Sequence, residues 1–141
     1  MVAVPNHRIS EPLALAILLG TFVLVVDDDA VLCRCVARLL AGAGARVLTA
    51  TGGDEAIAIA GANSIDLVLT DMDMPGLDGP RVAYAVRSIR PHVAVVFMSG
   101  RSREEHRAKG RLADDDLLVD KPFAGHALVD TLVTALGSGR V

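Results

Sequence analysis

The chain contains little cysteine: Cys33 and Cys35 are the only two among 141 residues. They lie in a helical pattern, where positions i and i+2 point to different faces, so they cannot easily share a metal ion or a disulfide. We predict reduced thiols, as in a cytosolic protein, with Cys35 on the apolar face of its helix.

Clustered positive charge is also missing. The 14 Lys and Arg residues are outnumbered by 17 Asp and Glu residues, the net charge is -3, and no Lys/Arg cluster stands out. Such a chain offers no basic field to a phosphodiester backbone, so we predict no direct nucleic-acid binding.

No apolar run has the length of a membrane span. The run from Leu13 to Val26 is interrupted by Gly20 and Thr21 and is shorter than the ~20 residues that a spanning helix needs. Its second half is typical of a core strand, and no small-residue cleavage site of a signal peptide follows it. We predict a cytoplasmic protein with no membrane span, made of an N-terminal extension of unknown role (residues 1–20) and one domain (residues 21–138).

Apolar residues make up 52% of the chain, enough to fill a single core. Runs rich in Val, Leu and Ile, typical of strands buried on both faces of a parallel sheet, recur at residues 22–26, 46–50, 65–69, 93–98 and 117–119. Helical patterns follow them at residues 30–42, 53–62, 80–89, 102–111 and 124–136. In the first helix the predicted apolar stripe is Leu32, Cys35, Val36, Leu39 and Leu40. The alternation predicts an open α/β sheet with helices on both faces.

Polar groups follow four of the five predicted strands. In an open parallel sheet, function gathers beyond the carboxyl ends of the strands. The residues at those ends are Asp27, Asp28 and Asp29, then Asp71, then Ser99 and Gly100, then Asp120, Lys121 and Pro122. The second strand ends in Ala50 and Thr51, with nothing ionisable, as expected at the edge of the sheet.

These groups suit phosphoryl transfer. If Asp27, Asp28 and Asp71 converge, their repulsion must raise a pKa or recruit a cation, and an oxygen-only ligand set suits Mg²⁺ best. No His or Cys lies at these ends, which argues against zinc. Asp71, at the end of the central strand, is the predicted nucleophile, with Lys121 and Ser99 to stabilise the equatorial charge.

Taken one at a time, these residues have simpler interpretations. An Asp after a strand is more often a helix cap or part of a solvated turn. Lys121 alone would be a surface residue before a turn, and Ser99 alone would cap the next helix. The occurrence of such residues at four strand ends favours a functional site.

The motifs resemble the response-regulator receiver domain of two-component signalling. "VLVVDDDA" resembles its first strand and acidic pair, "DLVLTDMDMPGLDG" its phosphoacceptor block, "VVFMSG" its hydroxyl-bearing strand and "DKPF" its lysine turn. They occur in the family's order, between about residues 22 and 136. The resemblance implies a three-layer (βα)5 flavodoxin-like fold of the CheY-like superfamily, with a five-stranded parallel sheet in the order 2-1-3-4-5.

The resemblance also implies a phosphoacceptor and a Mg²⁺ cofactor. Asp71 would accept a phosphoryl group from a histidine kinase or a histidine phosphotransfer protein. Asp28 and Asp71 would ligate Mg²⁺ directly, Asp27 would do so through water, and Asp73 would contribute its backbone carbonyl. The domain would phosphorylate and dephosphorylate itself, with no separate substrate turned over.

The rest of the site follows from the same resemblance. Ser99 would hydrogen-bond the phosphoryl oxygen, Lys121 would form an ion pair with it, and the Lys121-Pro122 bond would be cis. One position departs from the family pattern, because Leu118 stands where an inward-turning Tyr or Phe is frequent. This makes an aromatic switch doubtful, although Ser99 could still pull its loop inward.

The output side is predicted to be a surface near residues 100–130. The segment 102–111 has almost no apolar stripe, so we expect a weakly anchored helix there, although a plain solvated face would have the same pattern. With no effector domain after residue 136, output is expected through a downstream protein target or onward phosphoryl transfer. A stand-alone protein and a receiver from a hybrid histidine kinase both fit the sequence.

Two other functions remain open. "LVLTDMDM" superficially matches the Asp-x-Asp start of haloacid-dehalogenase-type phosphatases, but there the acidic pair comes last rather than first. A receiver-like docking module that is never phosphorylated is the second alternative. The four histidines, His7, His92, His106 and His126, have no mutual spacing and receive no role.

Overall fold

The structure is a computed structural model that describes residues 17–138. Five parallel strands form one sheet in the order β2-β1-β3-β4-β5, so the predicted fold and strand order are confirmed. The strands are β1 (Phe22–Val26), β2 (Arg46–Ala50), β3 (Leu67–Asp71), β4 (Ala94–Ser99) and β5 (Leu117–Asp120). The helices are α1 (Ala30–Gly42), α2 (Gly53–Ala62), α3 (Gly79–Ile89), α4 (Arg103–Ala108) and α5 (Gly125–Ser138).

The apolar core has two halves, one on each face of the sheet. Because successive side chains of a strand point to opposite faces, Val23 and Val25 of β1 pack with α1 and α5, whereas Leu24 and Val26 pack on the side of α2 and α3. All five residues of β1 and of β3 are buried. This burial on both faces explains why β1 is apolar throughout and why β3 is apolar up to Thr70 and Asp71 at its carboxyl end.

The third strand begins two residues later than the sequence pattern predicts. Pairing with β1 starts at Leu67, opposite Val23, and the preceding Asp66 accepts a hydrogen bond from the Phe22 N–H through its carboxylate at 2.8 Å. The strand ends at Asp71, so the predicted nucleophile is the last residue of β3.

The phase of α1 differs from the predicted one. Cys33, with Val36 and Leu40, faces the sheet, while Cys35 is exposed, so the assignment of Cys35 to the apolar face is wrong. Asp29 caps the helix and Cys33 Sγ lies 3.3 Å from the Asp27 carbonyl oxygen, which together set this phase. The prediction of two free thiols is confirmed, and burial raises the pKa of Cys33 to about 11, so this thiol stays protonated.

The fourth helix is shorter than predicted. It begins after Ser102, whose hydroxyl accepts a hydrogen bond from Glu105 N–H, and ends at Ala108 instead of residue 111. Gly110 adopts φ +68°, a left-handed conformation that ends a helix and that glycine adopts without strain.

Most of the predicted N-terminal extension, residues 1–16, lies outside the described residues. At its end, Leu18 is fully buried in the core, and Thr21 Oγ1 donates a hydrogen bond to the Ile17 carbonyl at 2.8 Å. The domain boundary at residue 21 remains a prediction. Within residues 17–138 no helix is both long and apolar enough to span a bilayer.

Candidate functional site

The carboxyl ends of four strands converge on one edge of the sheet. The parallel register pairs Asp71 of β3 with Met98, next to Ser99, and pairs Ser99 of β4 with Asp120, next to Lys121. Asp27 follows β1, whose last residue is paired with Thr70 of β3. The topology thus places β1 and β3 side by side at the centre of the site, with the edge strand β2 beyond β1.

Three carboxylates form the centre of this site, as predicted. One oxygen from each of Asp27, Asp28 and Asp71 lies within 4.8 Å of the others. Asp27 and Asp71 are buried at 1% and 7% exposure, whereas Asp28 is exposed. Asp27 is held in place because its Oδ1 accepts a hydrogen bond from Asp29 N–H at 2.9 Å. The oxygen-only donor set and its spacing fit a hard divalent cation such as Mg²⁺.

The ammonium of Lys121 lies between the two buried carboxylates. Its Nζ is 2.6 Å from Asp27 Oδ2 and 3.4 Å from Asp71 Oδ1. Burial opposes the charged form of Lys121, but the hydrogen bond to Asp27 and the charges of both carboxylates raise its pKa above the usual value. Lys121 therefore stays cationic next to Asp71, and the peptide bond to Pro122 is cis, as the resemblance implied.

The surroundings of Asp71 disfavour its charged form. Burial raises its pKa, and the negative charge of Asp27 raises it further, while Lys121 offsets part of the increase. When ionised, the group is an incompletely compensated anion in a partly desolvated place. Such an anion attracts cations and is less well solvated than a carboxylate in water.

The raised pKa of Asp71 predicts how stability changes with pH when divalent cations are chelated. The folded chain binds this proton more tightly than the unfolded chain, so the group's contribution to stability is fully present below its ordinary pKa of 3.8 and is lost as pH rises through the folded value. Asp71→Asn removes this titration. We expect the difference in the free energy of unfolding, Asp71→Asn minus wild type, to rise as the pH increases from 3.8 to the folded pKa of Asp71 and then to stay constant.

Urea unfolding of both proteins in a chelator, at a series of pH values, measures this difference. Titratable groups distant from Asp71 cancel between the two proteins, whereas Asp27 and Lys121, which interact with Asp71, contribute to the difference together with it. A difference that stays flat or falls with rising pH would contradict the raised pKa.

Asp73 does not join the acidic group through its side chain. Its Oδ1 accepts a hydrogen bond from Arg111 Nη1 at 2.7 Å, and Arg101 lies 3.9 Å from its other oxygen. Although burial acts in the opposite direction, the hydrogen bond and charge of Arg111 lower the pKa of Asp73. The metal role predicted for Asp73 concerns its backbone carbonyl and stays a prediction. Asp29, also at a strand end, caps α1.

Ser99 is buried at the end of β4 and faces α4. Its Oγ lies 2.8 Å from Nε2 of His106 and accepts a hydrogen bond from Arg101 N–H at 2.9 Å. His106 is 1% exposed, and burial lowers its pKa, so it is neutral at pH 7. The sequence contains one indication that His106 is buried: His106 and Ala108 are the only residues without a full charge in the segment 103–109.

Arg111 was also missed by sequence reasoning. Its guanidinium donates a hydrogen bond to the Met72 carbonyl at 2.7 Å, in addition to its bond with Asp73, and lies 3.4 Å from Asp78. It thereby fixes the loop between β3 and α3 to the segment after α4. The partners are 33 to 39 residues away along the chain, so no local pattern reveals them.

Comparisons with known proteins agree with this geometry. The family model "Response regulator receiver domain" matches residues 23–133. The transcriptional regulatory protein PrrA of Mycobacterium tuberculosis is 39% identical over 107 residues, which are 76% of this chain and 46% of PrrA. The sensor histidine kinase RcsC of Salmonella typhi is 32% identical over 110 residues, 78% of this chain and 12% of RcsC. The chain thus spans less than half the length of these curated relatives.

A solved structure of similar fold is a response regulator receiver protein from Sinorhizobium medicae, with a TM-score of 0.76 and 28% identity, covering 86% of this chain and 98% of that one. Chemotaxis protein CheY4 of Vibrio cholerae gives a TM-score of 0.75 and 29% identity, covering 83% and 99% of the two chains. The order of the strands and the acidic centre are consistent with these matches. The chain belongs to the family of response regulator receiver domains of two-component systems.

Proposed function

We propose that Asp71 accepts a phosphoryl group from a phosphohistidine donor. The observation that carries this proposal is the placement of Asp71, a buried strand-end carboxylate with two carboxylates and an ammonium around it. The donor would be a histidine kinase or a histidine phosphotransfer protein, as two-component signalling implies. Since Asp71 is 7% exposed, its oxygen can be reached only at the edge of the sheet, where the strand ends meet.

The three carboxylates of Asp27, Asp28 and Asp71 would hold the Mg²⁺ ion that this chemistry requires. A divalent cation bound there neutralises charge on the transferring phosphoryl group and on the carboxylates. Because Asp28 is exposed, an ion can reach the site from solvent. The mutual repulsion of the buried Asp27 and Asp71 favours its binding. The backbone carbonyl of Asp73 is proposed as a further ligand.

Two further groups of the chain, Lys121 and Ser99, would assist the transfer. An oxygen of Asp71 attacks the phosphorus, and the new O–P bond forms as the P–N bond to the donor histidine breaks. The donor ring, which carries a proton on its other nitrogen, leaves as neutral imidazole with the bonding electrons. Lys121 stabilises the negative charge on the equatorial oxygens from its position beside Asp71. Ser99 donates its hydroxyl hydrogen to one of these oxygens.

The signal is proposed to leave through the surface near residues 100–130. Phosphorylation adds nearly two negative charges and biases a pre-existing equilibrium of the segment after Ser99. A downstream protein that binds this surface would sense the change. The curated relatives include a transcriptional regulatory protein and a sensor histidine kinase. The region that matches this chain is 46% of the first and 12% of the second, so in both it is part of a longer chain.

Intact-mass measurement after incubation with Mg²⁺ and acetyl phosphate tests this function. We expect one phosphoryl adduct, absent when a chelator removes Mg²⁺ and lost on incubation in base, which hydrolyses acyl phosphates. No adduct with the fold intact would instead favour a docking module that works without phosphorylation.

Lys121→Ala is expected to separate phosphorylation from its response. Asp71 keeps its cation site, so the adduct still forms, but the phosphoryl group loses the ammonium that would orient it. Amide shifts near residues 100–130 should then respond little to beryllium fluoride, a mimic of the acyl phosphate. Without Mg²⁺, the two carboxylates also lose their common partner, so the free energy of unfolding should fall by about 1–2 kcal/mol.

Lys109→Ala is the matched control, because Lys109 and Lys121 are the only two lysines of the chain and Lys109 is exposed. It should leave the labelling, the shift response and the stability unchanged. A full shift response in Lys121→Ala would contradict the proposed role of Lys121.

A further inference from the structure

His106 connects the hydroxyl of Ser99 to α4. It is the only buried residue of that helix, and its Nε2 lies 2.8 Å from Ser99 Oγ. The other hydrogen bond to this oxygen comes from the backbone of Arg101, outside the helix. Within residues 17–138, His106 is thus the only side chain of α4 that is hydrogen-bonded to Ser99.

The neighbours of the imidazole define which nitrogen donates. Nη1 of Arg111 lies 3.4 Å from Nδ1 of His106, and a guanidinium has only donors. Nδ1 is therefore the acceptor, so the ring hydrogen is on Nε2 and points to Ser99 Oγ. Since Ser99 Oγ accepts from both His106 and Arg101, its own hydrogen remains free to be donated to a phosphoryl oxygen.

The same imidazole is linked to the other side of the site. Arg111 is held by the Met72 carbonyl and by Asp73, both in the segment directly after Asp71. His106 consequently stands between the serine of β4 and the loop that follows the phosphoacceptor. A displacement of Ser99 reaches the imidazole through one hydrogen-bonded contact, and a displacement of the loop reaches it through Arg111.

Leu118 makes this connection more important. The leucine side chain has no polar atom, and it packs against the apolar cluster on the α2 and α3 side of the sheet. It cannot follow a phosphoryl group by exchanging hydrogen bonds, nor turn an aromatic ring inward. His106 offers such a polar link directly between Ser99 and α4.

We infer that His106 is a positioning residue that transmits the movement of Ser99 to α4 after phosphorylation, an inference that rests on the proposed function of Asp71. When Ser99 turns toward the phosphoryl group, a buried N–H of His106 would lose its acceptor unless the imidazole follows. Two other polar contacts of α4 are a half-buried hydrogen bond from Arg103 to the Asp116 carbonyl and an exposed ion pair of Arg107 with Asp114. His106 is the one buried side chain of the helix, so a movement of Ser99 is transmitted to α4 through it.

Two substitutions test the hydrogen bond. His106→Leu fills similar space without a donor, whereas the amide of Gln in His106→Gln can donate from about the place of Nε2. His126→Leu, at an exposed position of α5, is the control for removing a histidine. Each protein is incubated with Mg²⁺ and acetyl phosphate for intact mass, and with Mg²⁺ and beryllium fluoride for amide shifts, and its fold is checked by thermal unfolding.

We expect all four proteins to form the adduct and to show shift changes around Asp71. The shift changes across α4 should be present in the wild type, His106→Gln and His126→Leu, and absent in His106→Leu. In a double-mutant cycle, adding Ser99→Ala to His106→Leu should cause no further loss at α4. Rescue by glutamine separates this role from simple core packing.

Two results would overturn the inference, and they are distinguishable. If the wild type forms the adduct and His106→Leu keeps the full α4 response, His106 does not transmit the change and only this inference fails. If the wild type forms no adduct under any condition, the proposed function fails and the inference fails with it.

Discussion

Asp71→Asn is expected to abolish the phosphoryl adduct completely. The amide keeps the shape of the carboxylate and leaves the backbone of β3 in place, but it offers no anionic oxygen to attack phosphorus and one fewer ligand oxygen of negative charge to a cation. Because the environment of Asp71 disfavours the carboxylate, the variant should also fold at least as stably as the wild type in a chelator. Intact mass and urea unfolding measure the two effects on the same sample.

Asp73→Asn is the matched control for this loss. Asp73 is two residues away, but its carboxylate pairs with Arg111 rather than with the acidic centre. The adduct should therefore still form, and the metal role proposed for the Asp73 carbonyl is untouched by the change. Labelling of Asp71→Asn to the extent of the wild type would show that the phosphoryl group is attached elsewhere and would remove the basis of the proposed site.

The fold and the centre of the site could be predicted because their signals are local in sequence. A strand buried on both faces is mostly apolar, so β1, β3 and β4 are visible as apolar runs, and the polar residues of β3 and β4 stand only at their carboxyl ends. Parallel connections then force the ends of those strands to the same edge of the sheet. That is enough to bring Asp27, Asp28, Asp71 and Lys121 together without any knowledge of distances.

The errors lie where tertiary contacts decide between similar local patterns. In α1, an apolar stripe can be drawn through Cys35 or through Cys33, and the cap at Asp29 and the contact of Cys33 with the end of β1 choose the second. In the segment 102–111 the formal charges conceal that a neutral histidine is the buried residue. Periodicity cannot identify a polar residue that replaces an apolar one.

Arg111 illustrates a further limit of the sequence. Its partners in the loop after β3 become neighbours only when β3 and β4 are paired and α4 is in place. An arginine in a charged segment is usually solvated, and here it is 20% exposed in its side chain and bonded to a backbone carbonyl. The contacts of Arg111 and His106 that would connect phosphorylation to α4 are consequently visible only in the folded structure.

Gly79→Ala is expected to damage both the fold and the site. Gly79 begins α3, and its N–H donates to the Met72 carbonyl at 3.0 Å, so the helix starts directly against the end of β3. A Cβ at this position would collide with the Asp71 carbonyl oxygen and lie 2.9 Å from Met72 Cα. Backbone atoms cannot move aside as a side chain can, so the free energy of unfolding should fall by about 3 kcal/mol, as measured in urea.

The same clash shifts the backbone of Asp71, so labelling by acetyl phosphate should slow under conditions where Gly79→Ala is still folded. Gly61→Ala is the control, because Gly61 lies in α2 with no atom within 4 Å of an added Cβ, and alanine should stabilise that helix by about 0.5–1 kcal/mol. Wild-type stability together with wild-type labelling in Gly79→Ala would contradict the close approach of α3 to β3. Slow labelling together with a loss of stability would mean that Gly79 allows the start of α3 to pack directly against the backbone of Asp71 and Met72, and that this packing holds the phosphoacceptor in position.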